Sequence, residues 1–198
     1  KDNNTKPATE DVTKAYAYKT ALALNADYSM VSVSGYGIIS GFTNDGNKIP
    51  EQTIPQYYDK LGFSYNKFAD SITVSETEWD FERYKPDIIV INLGTNDMNY
   101  ATTDERKAEF EDGYFDFLKK VRSFNPDSYI FQTYGVMGTS LEKNIENVRR
   151  KYMSETGDER ITFIPLTMQD ENADGIVADW HPSPRTHSLV SQKVTAAI

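Results

Sequence analysis

Two short stretches hold residue types that together can carry out acyl transfer. Near the C-terminus, Asp179-Trp180-His181-Pro182-Ser183 sets one of only two histidines in a polar loop, between a tryptophan and a proline. In mid-chain, Gly94-Thr95-Asn96-Asp97 follows the apolar run Ile88-Ile89-Val90-Ile91. An imidazole can take the proton of an attacking nucleophile, and a fixed side-chain amide can hold the oxyanion that forms on a carbonyl. A third candidate is Gly35, in Ser34-Gly35-Tyr36-Gly37, where a residue without a Cβ lets a backbone N–H approach a substrate oxygen. His181, Asn96 and Gly35 are expected to converge on one cleft. No convincing serine nucleophile accompanies them.

Each of these residues also has a plainer reading. A lone histidine is often structural or merely exposed, Asn is a common turn residue, and a glycine after a strand is often only a turn. Trp180 is either core or, beside a base, an aromatic face for the apolar side of a sugar ring. His187 lies six residues after His181, which is not the i,i+4 spacing of a helical metal pair, and reads as a solvated helix position. Asp170-x-Asn172-x-Asp174-Gly175 imitates the opening of a calcium loop. Its twelfth position is His181 where such a loop needs a bidentate Glu, so it reads as a polar loop.

The elements that must position these groups follow from periodicity. Thr9-Glu10-Asp11 opens a helix running to about Leu24, with Val12, Ala15, Tyr16, Lys19 and Ala23 on one side. A short strand is expected at 28–33, then an irregular stretch at 40–85 with one helical turn between Pro55 and Leu61. The run at 88–93 is apolar without alternation, as expected of a strand covered on both faces. Thr102-x-x-Glu105 resembles a capping box, opening a helix with Phe110, Tyr114, Phe117, Leu118 and Val121 on one face. Further strands are expected at 128–134 and 161–166. Between them Thr139-x-x-Glu142 opens a helix carrying Leu141, Ile145, Val148 and Tyr152, which Gly157 stops. A last helix begins near Ser183-Pro184. This alternation indicates a parallel sheet with helices on both faces, whose strand C-termini form the ligand edge. The first helix has no strand before it, so the architecture begins one strand late.

Composition narrows the function. The chain has 198 residues, 38% hydrophobic and 13% aromatic, which suits one globular domain. A formal charge of −9 without a basic stripe argues against nucleic acid. No apolar run has the eighteen or so residues of a membrane span, so no membrane partner is expected. The absence of cysteine removes disulfides, thiol nucleophiles and thiolate metal sites. The chain opens on Lys1-Asp2-Asn3-Asn4 without Met, which reads as an interior fragment or a processed form. Oligomeric state is not legible.

Taken together, the blocks resemble the SGNH (GDSL-type) hydrolase family, in its chain order: Ser34-Gly35-Tyr36-Gly37, then Gly94-Thr95-Asn96-Asp97, then Asp179-Trp180-His181-Pro182. Within it the likeness is greatest to the catalytic domain of carbohydrate esterase family 2, through Ala8-Thr9-Glu10-Asp11, Ile91-Asn92-Leu93-Gly94-Thr95-Asn96-Asp97 and Asp-Trp-His-Pro-Ser. It covers essentially the whole chain. The resemblance implies a flavodoxin-like three-layer α/β sandwich with a parallel sheet, and residues 1–198 as an N-terminally incomplete catalytic domain. The family's Gly-Asp-Ser block, with the nucleophile and the central first strand, would lie upstream of Lys1. The family's usual acid, three residues before the histidine, is replaced by Ala178. The resemblance then implies a Ser-His dyad with a backbone carbonyl orienting the ring.

By the same resemblance, His181 is the base and Gly35 N–H and the Asn96 amide hold the oxyanion. Trp180, Asp179 and Tyr36 would contact a sugar. The expected activity is removal of acetyl groups from the sugar hydroxyls of plant polysaccharides such as xylan, by a secreted, extracellular protein needing no metal or organic cofactor. Two alternatives stay open. One is a lipase- or thioesterase-like SGNH hydrolase; the other is a glycan-binding module that keeps the cleft without catalysis.

Overall fold

The computed structural model describes residues 10–63, 67–68 and 71–198; Ala8 and Thr9 of the expected helix start lie outside them. In chain order the elements are α1 (Tyr16–Ala23), β1 (Lys67–Phe68), β2 (Ile72–Thr73), β3 (Ile88–Asn92) and α2 (Asp104–Phe124), followed by β4 (Tyr129–Tyr134), α3 (Glu142–Thr156), β5 (Ile161–Pro165) and α4 (Pro184–Ala197). This is an α/β fold with a parallel sheet and flanking helices. The described residues divide into two compact units, one drawn from 10–32, 134–139 and 164–198, the other from 33–133 and 140–163.

The sheet belongs mainly to the second unit. β4 is central, with β3 on one side and β5 on the other. β3 and β4 run parallel in a register from Ile88 opposite Tyr129 to Asn92 opposite Thr133. Ile130 N–H donates to the Arg160 carbonyl at 2.9 Å, joining β4 to the start of β5. β4 is buried on both faces beyond Tyr129, its polar Gln132 and Thr133 included, as expected of a central strand.

The helices follow the apolar stripes. α2 buries Phe110, Tyr114, Phe117, Leu118 and Val121, the face expected from spacing, each such side chain contributing roughly 1.5–3 kcal/mol on burial. Its cap is Thr103, whose hydroxyl accepts Arg106 N–H at 3.3 Å, one residue later than expected. Thr102 donates its own N–H to the Tyr100 carbonyl within a turn, and Thr103 has the extended backbone a cap needs. α3 buries Ile145, Val148 and Tyr152 and ends at Gly157, whose φ is 70°. It begins behind Leu141, which is fully buried and offers no side-chain acceptor, so the expected Thr139 capping box does not form. Arg122 closes the base of this unit: its guanidinium pairs with Asp158 at 2.7 Å and donates to the Ser128 carbonyl at 2.6 Å.

The irregular stretch before β3 packs through aromatic rings. Tyr58 meets Phe117 edge-on at 5.4 Å, and Phe81 stacks on Phe124 at 4.2 Å. Asn125 donates to the Tyr58 hydroxyl at 2.7 Å. Its helical turn is short, a 3-10 turn at Ile54–Gln56.

In the first unit, α1 lies against α4, with Thr20 Oγ1 3.2 Å from Ser191 Oγ and Lys19 Nζ 2.7 Å from Ser188 Oγ. Four expectations change here and at the sheet. The first helix is split: Asp11 caps a 3-10 turn at Val12–Lys14, and Ala15 is extended before α1 begins. That break frees Tyr16 N–H, which donates to His187 Nδ1 at 3.2 Å. His187 is therefore a half-buried structural acceptor and not the solvated position its spacing suggested.

Residues 28–33 form no strand. They pair with no described segment, and Val31 is 78% exposed. An extended run needs a neighbouring backbone to satisfy its N–H and C=O groups, and β-propensity alone does not supply one. β3, expected to be covered on both faces, is an edge of the described sheet, with Ile88 and Val90 each 38% exposed. Among the described residues no helix is long and apolar enough to cross a membrane.

Candidate active site

The site candidates fall into two clusters, each built within its own unit. In the second unit the turn after β3 grips the loop at residues 35–43. The Asn96 side-chain amide donates to the Tyr36 carbonyl at 2.8 Å. Asp97, with no exposed surface, accepts three successive backbone N–H groups: Ile38 at 2.9–3.0 Å, Ile39 at 2.8 Å and Ser40 at 3.1 Å. Two residues on, Asn99 donates to the Thr43 carbonyl at 2.8 Å. Side chains from one turn thus hold both ends and the middle of the other.

Glycine makes that approach possible. Gly37 lies so close that a Cβ there would stand 2.1 Å from the Ser40 carbonyl oxygen and 2.4 Å from Asp97 Oδ2. Gly35 has φ 78°, a left-handed backbone that costs other residues about 1–2 kcal/mol. Its carbonyl accepts Phe42 N–H at 2.8 Å, closing the loop on itself.

The structure therefore brings Asn96, Gly35 and Tyr36 together. A primary amide carries two N–H donors, and only one of Asn96's is used by Tyr36. The Tyr36 ring is half-buried, with the Tyr57 and Phe63 rings 6.1 and 6.4 Å away.

Asp97 is the member that sequence reasoning passed over. Among the described residues no Lys or Arg forms an ion pair with it. Burial pushes its carboxyl above the ordinary aspartate value, while the bonds from Ile39, Ile38 and Ser40 pull the other way. The only signal in the sequence was its place directly after Asn96.

The second cluster is the loop before α4. Asp179 and Trp180 both adopt left-handed backbone, with φ 51° and 62°. The loop is pinned at its ends: Val177 N–H donates to the His181 carbonyl at 3.0 Å, and Ile176 bridges Pro182. Gln169 Nε2 donates to the Trp180 carbonyl at 2.8 Å. Ser183 caps α4 by accepting Thr186 N–H at 3.2 Å and donates its hydroxyl to the Asp174 carbonyl at 2.6 Å.

The calcium-like segment is an ordinary turn. Asp170 accepts the N–H groups of Asn172 and Ala173, and Asp174 pairs with Arg185 at 2.6 Å.

His181 is exposed, and its Nδ1 lies 3.2 Å from the Ala178 carbonyl oxygen. With Nδ1 protonated and donating there, Nε2 carries the lone pair and is the basic nitrogen. Ala178 stands where the resemblance would have an acid, and it offers its backbone instead. Trp180 is 59% exposed and so is not core. Its half-strained backbone presents a large aromatic surface to solvent beside the imidazole in sequence.

With this geometry in hand, the chain belongs to the GDSL-like lipase/acylhydrolase family, whose model matches residues 8–189. The relatives and solved structures it matches are esterases acting on carbohydrates. It is 31% identical to the cellulase/esterase CelE of Acetivibrio thermocellus, over 100% of this chain and 23% of that protein. It is 25% identical to an acetylxylan esterase/glucomannan deacetylase of Cellvibrio japonicus, over 92% of this chain and 46% of that one.

Among solved structures, the acetyl xylan esterase Est2A of Butyrivibrio proteoclasticus superimposes with a TM-score of 0.89 at 25% identity, over 99% of this chain and 57% of the other. A family two carbohydrate esterase of Clostridium thermocellum in complex with cellohexaose does so with a TM-score of 0.81 at 30% identity, over 100% and 57%. The chain thus spans about a quarter to a half of the curated relatives it matches.

Proposed function

We propose that this chain belongs to the catalytic domain of a secreted carbohydrate acetyl esterase that removes acetyl groups from the sugar hydroxyls of polysaccharides such as xylan. His181 is the general base and acid. Gly35 N–H and the Asn96 amide are oxyanion donors, and Trp180, Asp179 and Tyr36 contact the sugar. The observation that carries this reading is the His181 Nδ1 to Ala178 carbonyl contact at 3.2 Å, which directs the basic nitrogen away from the loop.

The reaction follows from these roles. A serine from a segment outside these 198 residues attacks the acetyl carbonyl while His181 Nε2 takes its proton. The oxygen gains the carbonyl electron pair and is held by the two donors and the serine's own N–H. Collapse of this intermediate breaks the bond to the sugar oxygen, which leaves with the proton from His181. Water then attacks the acetyl-serine, again through His181, and acetate departs. Ile88 and Val90, apolar and part-exposed at the edge of β3, support a further strand there to carry the nucleophile.

The printed activities of the relatives support an acetylated carbohydrate as the substrate, and the cellohexaose complex of one solved structure supports recognition of a saccharide chain. The test is acetate release from acetylated xylo-oligosaccharides by the full-length protein, compared with its His181→Ala variant. Activity that survives His181→Ala, or a preference for acyl chains of eight carbons or more, overturns the proposal. Saccharide binding without acetate release assigns the chain to the glycan-binding alternative.

A further inference from the structure

Asp97 is a fully buried carboxylate that makes no ion pair with a Lys or Arg among the described residues, and it sits next to a proposed oxyanion donor. Its three acceptor bonds run to Ile38, Ile39 and Ser40, consecutive residues of the loop that begins at Gly35. A carboxyl is buried without a large penalty only where hydrogen bonds replace its water, and three converging backbone N–H groups do so here. Asn96, one residue earlier, holds the same loop by the Tyr36 carbonyl. Loop and donor are thus fixed to each other through two adjacent side chains.

We infer that Asp97 is the positioning residue of the oxyanion hole, holding the Gly35–Tyr36 backbone and the Asn96 amide in one fixed arrangement. This rests on the proposed esterase reading for its catalytic consequence and on the loop geometry for its structural one. Asp97 touches no reacting atom. It acts by holding two donors in place before charge develops, which is the condition for such donors to act at full strength.

Asp97→Asn replaces one acceptor oxygen by an amide NH2 but keeps the shape. Gly37→Ala retains the Asp97 carboxylate but forces it away from the loop, because the new Cβ would stand 2.4 Å from Asp97 Oδ2. In the full-length protein both variants are expected to lower kcat by about ten- to a hundredfold, with KM changed less than about threefold. That range lies below the roughly hundred- to thousandfold loss of an entire donor. Asn96→Ala combined with Asp97→Asn should be little worse than Asn96→Ala alone, since both act through one element.

Activity-independent readouts keep the two readings separate. Amide hydrogen exchange at Ile38, Ile39 and Ser40 should accelerate in both variants, and the Asn96 side-chain NH2 resonances should shift. Unchanged exchange and unchanged Asn96 resonances overturn the inference whether or not the wild type is an esterase. Losses that multiply in the double variant, or a loss confined to KM, overturn it as well. An inactive wild type with accelerated exchange and shifted Asn96 resonances in the variants supports the positioning role and removes the esterase reading instead.

Discussion

The orienting group of His181 can be settled by changing Asp179, the one carboxylate close to it in sequence. If Asp179 oriented the ring, its loss would leave the imidazole in the wrong tautomer. In triad enzymes that costs about 10⁴-fold in kcat, or ~5.4 kcal/mol. If the Ala178 carbonyl does this, at 3.2 Å from Nδ1, the chemistry should survive, because the backbone acceptor is untouched. The variant must respect the local backbone. Asp179 has φ 51° and ψ 36°, a left-handed conformation that Asp and Gly tolerate and Ala does not.

Asp179→Gly is therefore the clean substitution, with a melting temperature close to that of the wild type. Asp179→Ala should lose about 1 kcal/mol, or ~2–4 °C in melting temperature, through strain alone. On acetyl 4-nitrophenol, kcat of Asp179→Gly in the full-length protein is expected within about fivefold of wild type, whereas His181→Ala should lose on the order of 10⁴-fold or more. Any further loss should fall in KM for acetylated saccharides, through the sugar contact proposed for Asp179. A kcat loss for Asp179→Gly as deep as that of His181→Ala, with the fold intact by circular dichroism, would falsify the backbone-carbonyl assignment.

Asn96→Ala should lower kcat by roughly a hundred- to a thousandfold with a smaller change in KM; an unchanged kcat in steady-state assays removes Asn96 from the oxyanion hole. Trp180→Ala, at a residue 59% exposed, should weaken kcat/KM on acetylated saccharides about five- to tenfold more than on acetyl 4-nitrophenol, the worth of roughly 1 kcal/mol of aromatic contact. Equal losses on the two substrates place the stacking surface elsewhere. His187 accepts Tyr16 N–H and must stay neutral to do so. Burial, and then Lys19 and His181, hold its pKa below the ordinary value of 6.5. The unfolded chain then binds the proton more readily, so this group's contribution to stability is present above pH ~6.5 and is lost as pH falls toward the lowered value. Thermal melts of wild type and His187→Gln between pH 5 and 8 should diverge most at the upper end, and parallel curves would sink the assignment.

How much of this was legible depended on what each feature is made of. The stripe Phe110, Tyr114, Phe117, Leu118 and Val121 was readable because burial of apolar side chains decides it, and burial leaves a period. The strand expected at 28–33 had a suitable pattern but no neighbour, and a ladder is a property of two segments. The break at Ala15 was hidden for a similar reason. Tyr16 N–H is taken by His187, 171 residues away, and no local pattern records such a partner.

The site shows the same division more sharply. Asn96, Gly35 and His181 could be proposed from the sequence because their side-chain types, or the lack of a side chain, are what the chemistry would require. The groups that hold them are largely backbone: the Ala178 and Tyr36 carbonyls and the N–H groups of Ile38, Ile39 and Ser40. Every non-proline residue offers these donors and acceptors, so residue identity says nothing about which are used. Replacing Ile38 by Val leaves its N–H in place, and any residue at 178 would offer His181 Nδ1 the same carbonyl. A backbone-held site leaves a mark on composition only where chains approach too closely for a Cβ, as at Gly37. That glycine stands between the two turns and is the one position whose residue type records how tightly Asp97 holds the loop.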